Sequence, residues 1–214
     1  MANTLVQRIT AGTAGAVLLI IGAADVLNPQ YHPFSETVSR YVNGTAGWLI
    51  PAAILGMGLS SLLLHSLLRR LPGRRVGKGA LALWTAGLTV AAVFPADPPG
   101  RWSRPSTSEM VHGLAAWLAF AAFPVAAVLL TKPLTAHVGR GRRWLIAAAA
   151  GSVLGTVALA VFMADVMDGP SLGIGGVPTL LGLVERLLLG ANLAWIALAA
   201  TAATRAPARA SAAE

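Results

Sequence analysis

The sequence predicts an all-α polytopic membrane protein, built as one bundle of six transmembrane helices with the N- and C-termini in the cytoplasm. Composition is the first reason: 56% of the residues are hydrophobic and 11% are charged, whereas a soluble domain carries about 25% charged residues. Six long apolar stretches are the second reason, because about 20 helical residues cross a hydrocarbon core. The distribution of charge between alternate loops is the third.

The six predicted helices follow one another with short connections. The first is longer than the apolar core of a typical signal peptide, so we expect an uncleaved membrane helix. The fourth contains Pro124, which should kink it. We assign residues 1–204 to a single transmembrane domain and expect the tail, residues 205–214, to be disordered. The predicted helices span residues 9–27, 47–68, 79–95, 110–131, 144–167 and 179–204.

The charged residues separate into two sets of segments. Cytoplasmic loops of membrane proteins collect Lys and Arg, which places both termini in the cytoplasm and the protein in the cell membrane. The net charge is +8, but the basic residues flank apolar stretches, so we expect membrane lipids and not nucleic acid as partners. Twelve of the sixteen basic residues form one set: Arg8; Arg69, Arg70, Arg74, Arg75 and Lys78; Lys132, Arg140, Arg142 and Arg143; Arg205 and Arg209. Seven of the eight acids form the other: Asp25, Glu36, Asp97, Glu109, Asp165, Asp168 and Glu185.

Two of the outer loops carry a distinctive pattern. In the first, residues 28–46, Glu36 and Arg40 stand at i,i+4, the favourable order for a helical ion pair. The apolar residues of this segment fall near one face, which predicts a short amphipathic helix lying in the membrane interface. The third outer loop, residues 169–178, reads GPSLGIGGVP. It lacks the ending of a phosphate-binding loop, and we interpret it as a plain turn or a flexible lid.

Glu185 and Arg186 are the strongest polar signal, because both lie inside the sixth apolar stretch. A charge at the centre of a membrane helix costs roughly 2.5–3.5 kcal/mol on insertion scales, and such residues usually mark function. Adjacent helical residues do not face each other, so each needs a partner on another helix. The expected partners are Asp97, Asp165 or Asp168 for Arg186, and Arg40 or His112 for Glu185.

These polar residues indicate either a ligand pocket or an interfacial charge network that holds the helices together. Five of the six helices bring a titratable group to the outer half of the membrane. The predicted ligand-binding residues are Ser39, Arg40, Asp97, His112, Glu185 and Arg186. The candidate catalytic residues are His112, Asp97 and Glu185.

Metal and serine chemistry have weaker support. Glu109 and His112 match the Glu-x-x-His pattern of helical metal sites once, with Asp97 and His32 as the other credible ligands. One such motif does not define a site, so we predict no metal and no cofactor. Ser35 or Ser39 with His112 and Asp97 would supply the residue types for serine hydrolysis. The chain has no cysteine, which excludes disulfides and thiolate sites.

A series of short motifs follows the chain in a characteristic order. The motifs are Pro33, Ser35, Ser39 and Arg40; Gly47 and Trp48; Phe94, Pro95, Ala96 and Asp97; His112 and Gly113; Glu185 and Arg186. Their order resembles that of DUF998, an uncharacterised family of six-helix membrane proteins. The resemblance runs over about residues 9–204, and it implies the topology and a membrane location but no established activity. A more distant likeness is to the Frag1/DRAM/Sfk1 membrane proteins, in helix number and in the first outer loop.

The leading functional prediction is an integral membrane protein that binds a lipid or small amphipathic ligand in a polar pocket open to the outer leaflet. Arg40 and Arg186 would meet an anionic headgroup, and Asp97, His112 and Glu185 would orient it. The first and third outer loops would form the rim. One alternative is a membrane-embedded lipid-modifying enzyme that uses His112 with Asp97 or Glu185. The other is a non-catalytic accessory subunit with a membrane-protein partner.

Overall fold

The computed structural model describes residues 2–69, 71, 73–101, 104–136, 139–168 and 172–205. Within this part of the chain, six helices are long and apolar enough to cross a membrane. The predicted all-α class with six membrane-spanning helices is confirmed, whereas the cytoplasmic placement of the termini stays a prediction. The helices are α1 (Ala2–Leu27), α2 (Leu49–Leu68), α3 (Arg75–Val93), α4 (Thr107–Thr135), α5 (Arg142–Asp168) and α6 (Leu181–Arg205).

Three helices begin well before their apolar stretches. Helix α1 begins at Ala2 instead of residue 9, α3 at Arg75 instead of residue 79, and α4 at Thr107 instead of residue 110. A helix satisfies its own backbone hydrogen bonds, so polar residues such as Gln7 can continue it into the headgroup region. Hydropathy marks only the apolar part of such a helix, which is why the predicted bounds are too short.

Helix α6 is the central element of the bundle. It packs against α1, α2, α4 and α5, and its residues Trp195, Ala199 and Ala200 are completely buried. The remaining close pairs are α1 with α2, α2 with α3, α3 with α4, and α4 with α5. Glu185 and Arg186, near the start of α6, are therefore surrounded by other elements.

An aromatic cluster with two polar contacts joins the helices in the core. The indole nitrogen of Trp84 donates to Ser61 Oγ at 2.8 Å, and that of Trp195 donates to Thr131 Oγ1 at 2.9 Å. Phe123 lies between the two indoles, with ring centroids 4.8 Å and 5.6 Å away in edge-on geometry. Each buried indole thus has the hydrogen-bond acceptor that its N–H group requires, and α2, α3, α4 and α6 are held together.

The first outer loop differs from its prediction. It contains a 3₁₀ helix, Val38–Asn43, in which Arg40 is buried with only 2% of its surface exposed. The predicted amphipathic interfacial helix is therefore wrong, because the segment packs into the end of the bundle. Gly182 allows this approach, since a Cβ atom there would collide with the carbonyl groups of Pro33 and Glu36.

The described part of the third outer loop is a tight turn. Ile174 and Val177 form an isolated antiparallel bridge. Gly175 and Gly176 between them have φ angles of 60° and 85°, a conformation that favours glycine. Residues 169–171 of the predicted lid or turn lie outside the described residues, as does the predicted disordered tail beyond Arg205.

The two ends of the bundle differ in charge. We call the end with connections 28–48, 94–106 and 172–180 the acidic end. The basic end carries connections 69–74 and 136–141, together with the beginning of α1 and the end of α6. The acidic residues of the described part of the chain all lie toward the acidic end: Asp25, Glu36, Asp97, Glu109, Asp165, Asp168 and Glu185.

Candidate functional site

Arg186 is held by a set of hydrogen bonds at the acidic end. Its Nε and Nη2 atoms donate to the two carboxylate oxygens of Asp25 at 3.2 Å and 2.6 Å. Its Nη1 atom donates to the carbonyl oxygens of Glu36 at 2.9 Å and Gly182 at 3.0 Å. A bidentate, charge-assisted pair of this kind is strong and specific in direction. Arg186 therefore fastens α6 to α1 and to the first outer loop.

The expected acidic partners of Arg186 were wrong, because its carboxylate partner is Asp25 at the end of α1. Asp165 instead accepts the backbone N–H of Leu172 with both carboxylate oxygens, each at 3.0 Å, and so fixes the turn that follows α5. Arg186 pairs with Asp25 because α1 packs against α6. A hydropathy pattern contains no information about which helices are neighbours.

Glu185 faces a different set of groups from Arg186. It is 7% exposed, and its Oε2 atom accepts the backbone N–H of Val38 at 2.6 Å. This contact holds the first turn of the 3₁₀ helix, where the side chain of Thr37 makes no capping hydrogen bond. Arg40 and His112, the two side chains expected beside Glu185, border the same cavity as Glu185 does.

Arg40 brings a buried positive charge to this cavity. Its Nη1 atom donates to Pro98 O at 2.9 Å, and its Nη2 atom lies 3.7 Å from Glu109 Oε1. Burial lowers the pKa of Arg40, and surrounding carboxylates, Glu109 foremost, oppose that shift. A buried charge is tolerated when it is paired and hydrogen-bonded. Arg40 thus ties the first outer loop to the connection between α3 and α4.

Asp97 takes part in the capping of α4. Ser106 is the N-cap residue, and its Oγ atom accepts Glu109 N at 3.1 Å. Asp97 Oδ2 accepts Ser106 N at 2.7 Å, and Glu109 Oε2 accepts Asp97 N at 2.6 Å. The hydrogen bonds from Ser106, the backbone one foremost, lower the pKa of Asp97. Asp97 is therefore engaged at the helix N-terminus and is not among the residues that border the cavity.

His112 has one ring nitrogen fixed and one available. Its Nδ1 atom lies 2.9 Å from both Ala91 O and Phe94 O. A carbonyl oxygen can only accept, so Nδ1 carries the hydrogen and the neutral ring has its lone pair at Nε2. The described part of the chain gives Nε2 no hydrogen-bond partner. In its neutral form, His112 therefore presents an oriented acceptor beside the cavity.

The acidic-end cavity lies among α4, α5, α6 and the first outer loop, and its volume is about 70 Å³. Two neighbouring cavities of about 270 Å³ and 40 Å³ share Ser39 and His112 with it. One part of its wall is polar, formed by Thr37, Ser39, Arg40, Glu109, His112 and Glu185. The rest is mostly apolar, formed by Gly113, Ala116, Trp117, Phe120, Leu159 and Met163.

Four of the six predicted ligand-binding residues meet at this cavity: Ser39, Arg40, His112 and Glu185. Asp97 and Arg186 have the structural contacts described above. Glu109, Thr37 and the apolar wall were not among the residues predicted to bind the ligand. The part of the wall that α4 forms could have been predicted from residue spacing. Its residues recur on one face of a helix: Glu109, His112, Ala116 and Phe120.

The geometry does not assemble the metal or serine sites considered from the sequence. No three His, Asp or Glu side chains in the described residues cluster closely enough to hold a metal ion. His32 lies against Phe34, with ring centroids 5.5 Å apart. The two carbonyl groups, and not Asp97, orient His112. Ser39 Oγ lies 3.4 Å from Thr37 Oγ1, and no hydrogen bond joins it to His112 among the described residues.

Six apolar spanning helices with a polar network at one end define a polytopic α-helical membrane protein. The chain belongs to the family described as "Protein of unknown function (DUF998)", which matches residues 11–202. The match extends over all six helices, so the resemblance to this family is confirmed. Comparisons with curated proteins and with solved structures give no significant match.

Proposed function

We propose that this membrane protein binds a lipid or a small amphipathic ligand, with the polar end of the ligand in the acidic-end cavity. The observation that carries the proposal is the composition of the wall. Polar groups from the first outer loop and α6 face an apolar surface that includes Trp117, Phe120 and Met163. Ligand sites typically combine a mainly apolar lining with a few oriented polar groups.

The charge of the wall favours a particular kind of polar end. Two carboxylates, Glu109 and Glu185, stand against one guanidinium, that of Arg40, while the tautomer of His112 offers an acceptor. A hydroxyl, amine or ammonium group would match these acceptors, whereas a phosphate would meet the carboxylates. This differs from the anionic headgroup expected from the sequence, because Arg186 is paired with Asp25 and Arg40 lies beside Glu109.

The proposed ligand comes from the outer leaflet of the cell membrane. Lys and Arg collect in cytoplasmic loops, so the basic end is assigned to the cytoplasm and the acidic end to the outside. The cavity is bordered on α4 by residues 109–120, which are the first turns of that helix. At 1.5 Å per residue, these turns lie within the outer half of the membrane.

Native mass spectrometry of the protein released from its own membrane tests the proposal. The variant His112→Asn keeps an amide N–H group near the carbonyl oxygens of Ala91 and Phe94 but removes the acceptor at Nε2. We expect a bound molecule of defined mass on the wild type and its loss from this variant. His65→Asn, which changes a membrane histidine on α2 outside the cavity, should keep the molecule.

Two results would contradict the proposal. In the first, the bound molecule persists equally on wild type, His112→Asn and His65→Asn. In the second, the wild type carries no molecule, which would favour the accessory-subunit alternative and a search for a membrane-protein partner. Circular dichroism and gel filtration of each variant establish that the bundle is folded.

A lipid-modifying enzyme is the second candidate, favoured by the fixed tautomer of His112. A neutral imidazole with a free Nε2 atom is suited to general-base catalysis. Glu185 borders the same cavity, whereas Asp97 lies at the α4 N-terminus. The assay is turnover of outer-leaflet lipids in proteoliposomes. Turnover by the wild type that is absent in His112→Asn selects the enzyme, and binding without turnover selects the binding protein.

A further inference from the structure

A further cavity lies at the basic end, between α4 and α5, and it has no part in the binding proposed for the acidic end. Its volume is about 380 Å³. We call it the basic groove. It is formed on α4 by Val128, Thr131, Lys132 and Thr135, and on α5 by Arg142, Ile146, Ala149, Ala150 and Val153.

The spacing of these residues explains why the groove exists. The α4 members recur at intervals of three and four residues, and so do most of the α5 members, which places each set on one helix face. At the centre of the α5 face, Ala149 and Ala150 carry only methyl side chains. Residues of this size leave the space between the two helices unfilled.

The groove changes from charged to apolar along its length. Lys132 and Arg142 lie near the basic end of their helices, and both side chains are exposed. Val128 and Val153 lie deeper in the membrane part of the bundle. From Arg142 to Val153, the rise of 1.5 Å per residue gives a length of about 16 Å. One leaflet contributes ~15 Å of hydrocarbon, so the groove has the depth of a single leaflet.

Among the described residues, no acidic side chain neutralises the positive charge of the groove. The acids of the described residues all lie toward the opposite end of the bundle, and no ion pair there includes Lys132 or Arg142. Thr131 also borders the groove, but its hydroxyl accepts the N–H of the buried Trp195 at 2.9 Å and faces the core. The mouth of the groove therefore offers two cations.

We propose that the basic groove binds an anionic phospholipid of the adjacent leaflet. Its phosphate would lie between Lys132 and Arg142, and one acyl chain would follow Val128, Ile146 and Val153 toward the membrane centre. Basic pockets between membrane helices are suited to anionic lipid headgroups. The apolar depth of the groove favours a phospholipid over a free phosphate ion. This site is separate from the acidic-end cavity and does not depend on its ligand.

The test uses delipidated full-length protein, titrated with dioleoyl phosphatidylglycerol or dioleoyl phosphatidylcholine and measured by native mass spectrometry. We expect the wild type to retain phosphatidylglycerol and not phosphatidylcholine. The variant Lys132→Gln/Arg142→Gln should bind phosphatidylglycerol at least about tenfold more weakly, because two attractive charges are removed. The matched control is Arg8→Gln/Arg75→Gln, which removes two exposed charges at the same end outside the groove and should bind as the wild type does.

A third variant separates groove binding from attraction by surface charge. Ala150→Leu keeps both cations but fills the space for the acyl chain, and Ala150 is exposed, so the bundle should fold. We expect it to lose phosphatidylglycerol as the double variant does. Equal loss in the control, unchanged binding in Ala150→Leu, or displacement of the lipid by millimolar inorganic phosphate would each overturn the proposal.

Discussion

The environment of Arg186 explains how a charge is tolerated in a membrane helix of this protein. Four hydrogen bonds satisfy three of its nitrogen atoms, two of them to the Asp25 carboxylate. The guanidinium carbon also lies 5.3 Å from the centre of the Tyr41 ring, within the range of cation–π attraction. Removing Arg186 alone would leave Asp25 charged and without this partner.

We expect Arg186→Gln to lower the free energy of unfolding by about 2 kcal/mol. Breaking a fully buried pair costs about 3–5 kcal/mol, and the side chains here keep 14% and 24% of their exposure, which reduces the loss. The variant Asp25→Asn should behave similarly, and Arg186→Gln/Asp25→Asn should recover part of the stability. Unfolding in detergent measures this cycle. Additive losses in the double variant would show that the pair is not energetically coupled.

Asn192 presents the opposite situation, a buried polar side chain without compensation. It is fully buried in α6, and neither amide atom has a hydrogen-bond partner in the described part of the chain. An unpaired buried polar group costs about 1–3 kcal/mol. We therefore expect Asn192→Leu to raise the free energy of unfolding by about 1 kcal/mol or more.

Asn28 is the matched control for this substitution. It is also fully buried, but its amide nitrogen donates to Ala24 O at 2.8 Å and Thr45 O at 3.1 Å. Asn28→Leu should therefore destabilise the protein under the same detergent conditions. A loss of stability in Asn192→Leu comparable to that in Asn28→Leu would mean that Asn192 has a partner, such as a bound water.

At the scale of elements, the stability contributed by the cap of α4 depends on pH. Hydrogen bonding from Ser106 lowers the pKa of Asp97 below its unfolded value of about 3.9. Ionised Asp97 then contributes stability above that value, and the contribution is lost as the pH falls through the folded-state pKa. We expect Asp97→Asn to melt below the wild type at pH 6 and the difference to close toward pH 3.

Glu36 supplies a control of opposite sign. Burial raises its pKa, and the nearby Arg40 opposes that shift. The stability that Glu36 contributes is therefore present below its unfolded-state pKa of about 4.3. This stability is lost as the pH rises through the folded-state pKa. The melting temperature of Glu36→Gln should rise relative to that of the wild type as the pH rises from 3 to 6. If both variants change in the same direction, these local hydrogen bonds and burial do not set the pH dependence.

The sequence predicts elements well where the membrane itself imposes a rule. A bilayer requires long apolar helices, so the number of helices and the all-α class could be deduced from hydropathy alone. The 3₁₀ helix Val38–Asn43 could not be deduced this way. Its geometry depends on contacts with distant parts of the chain, among them the Glu185 carboxylate and Pro98 O.

Some features of the candidate site could likewise be predicted from the sequence, and others could not. The cost of charge in a membrane drew attention to Glu185 and Arg186, and both are buried or half-buried in the structure. The pairing of Arg186 with Asp25 depends on helix neighbours, which a single sequence does not contain. The S-x-x-E pattern of Ser106 and Glu109 did offer a helix-cap signal. Recognising that signal would have placed the start of α4 near Ser106, but it would not have identified Asp97 as the acceptor of the Ser106 N–H.

At the scale of the whole molecule, two polar regions occupy opposite ends of one helix pair. The first turns of α4 border the acidic-end cavity, and its last turns border the basic groove. The first turns of α5 border the basic groove, and its later turns border the acidic-end cavity. The two proposed sites therefore face different leaflets, and the orientation of the bundle decides which leaflet supplies each ligand.

Labelling of single cysteines determines that orientation, because the chain contains no cysteine of its own. Ser35→Cys lies in the first outer loop at the acidic end, and Ala136→Cys lies in an exposed position at the basic end. Since Lys and Arg favour the cytoplasm, we expect a membrane-impermeant maleimide to label Ser35→Cys on intact cells. Ala136→Cys should react only after permeabilisation. The reverse pattern would place the acidic-end cavity in the inner leaflet and the basic groove in the outer one, and the two proposed ligands would then have to come from the opposite leaflets.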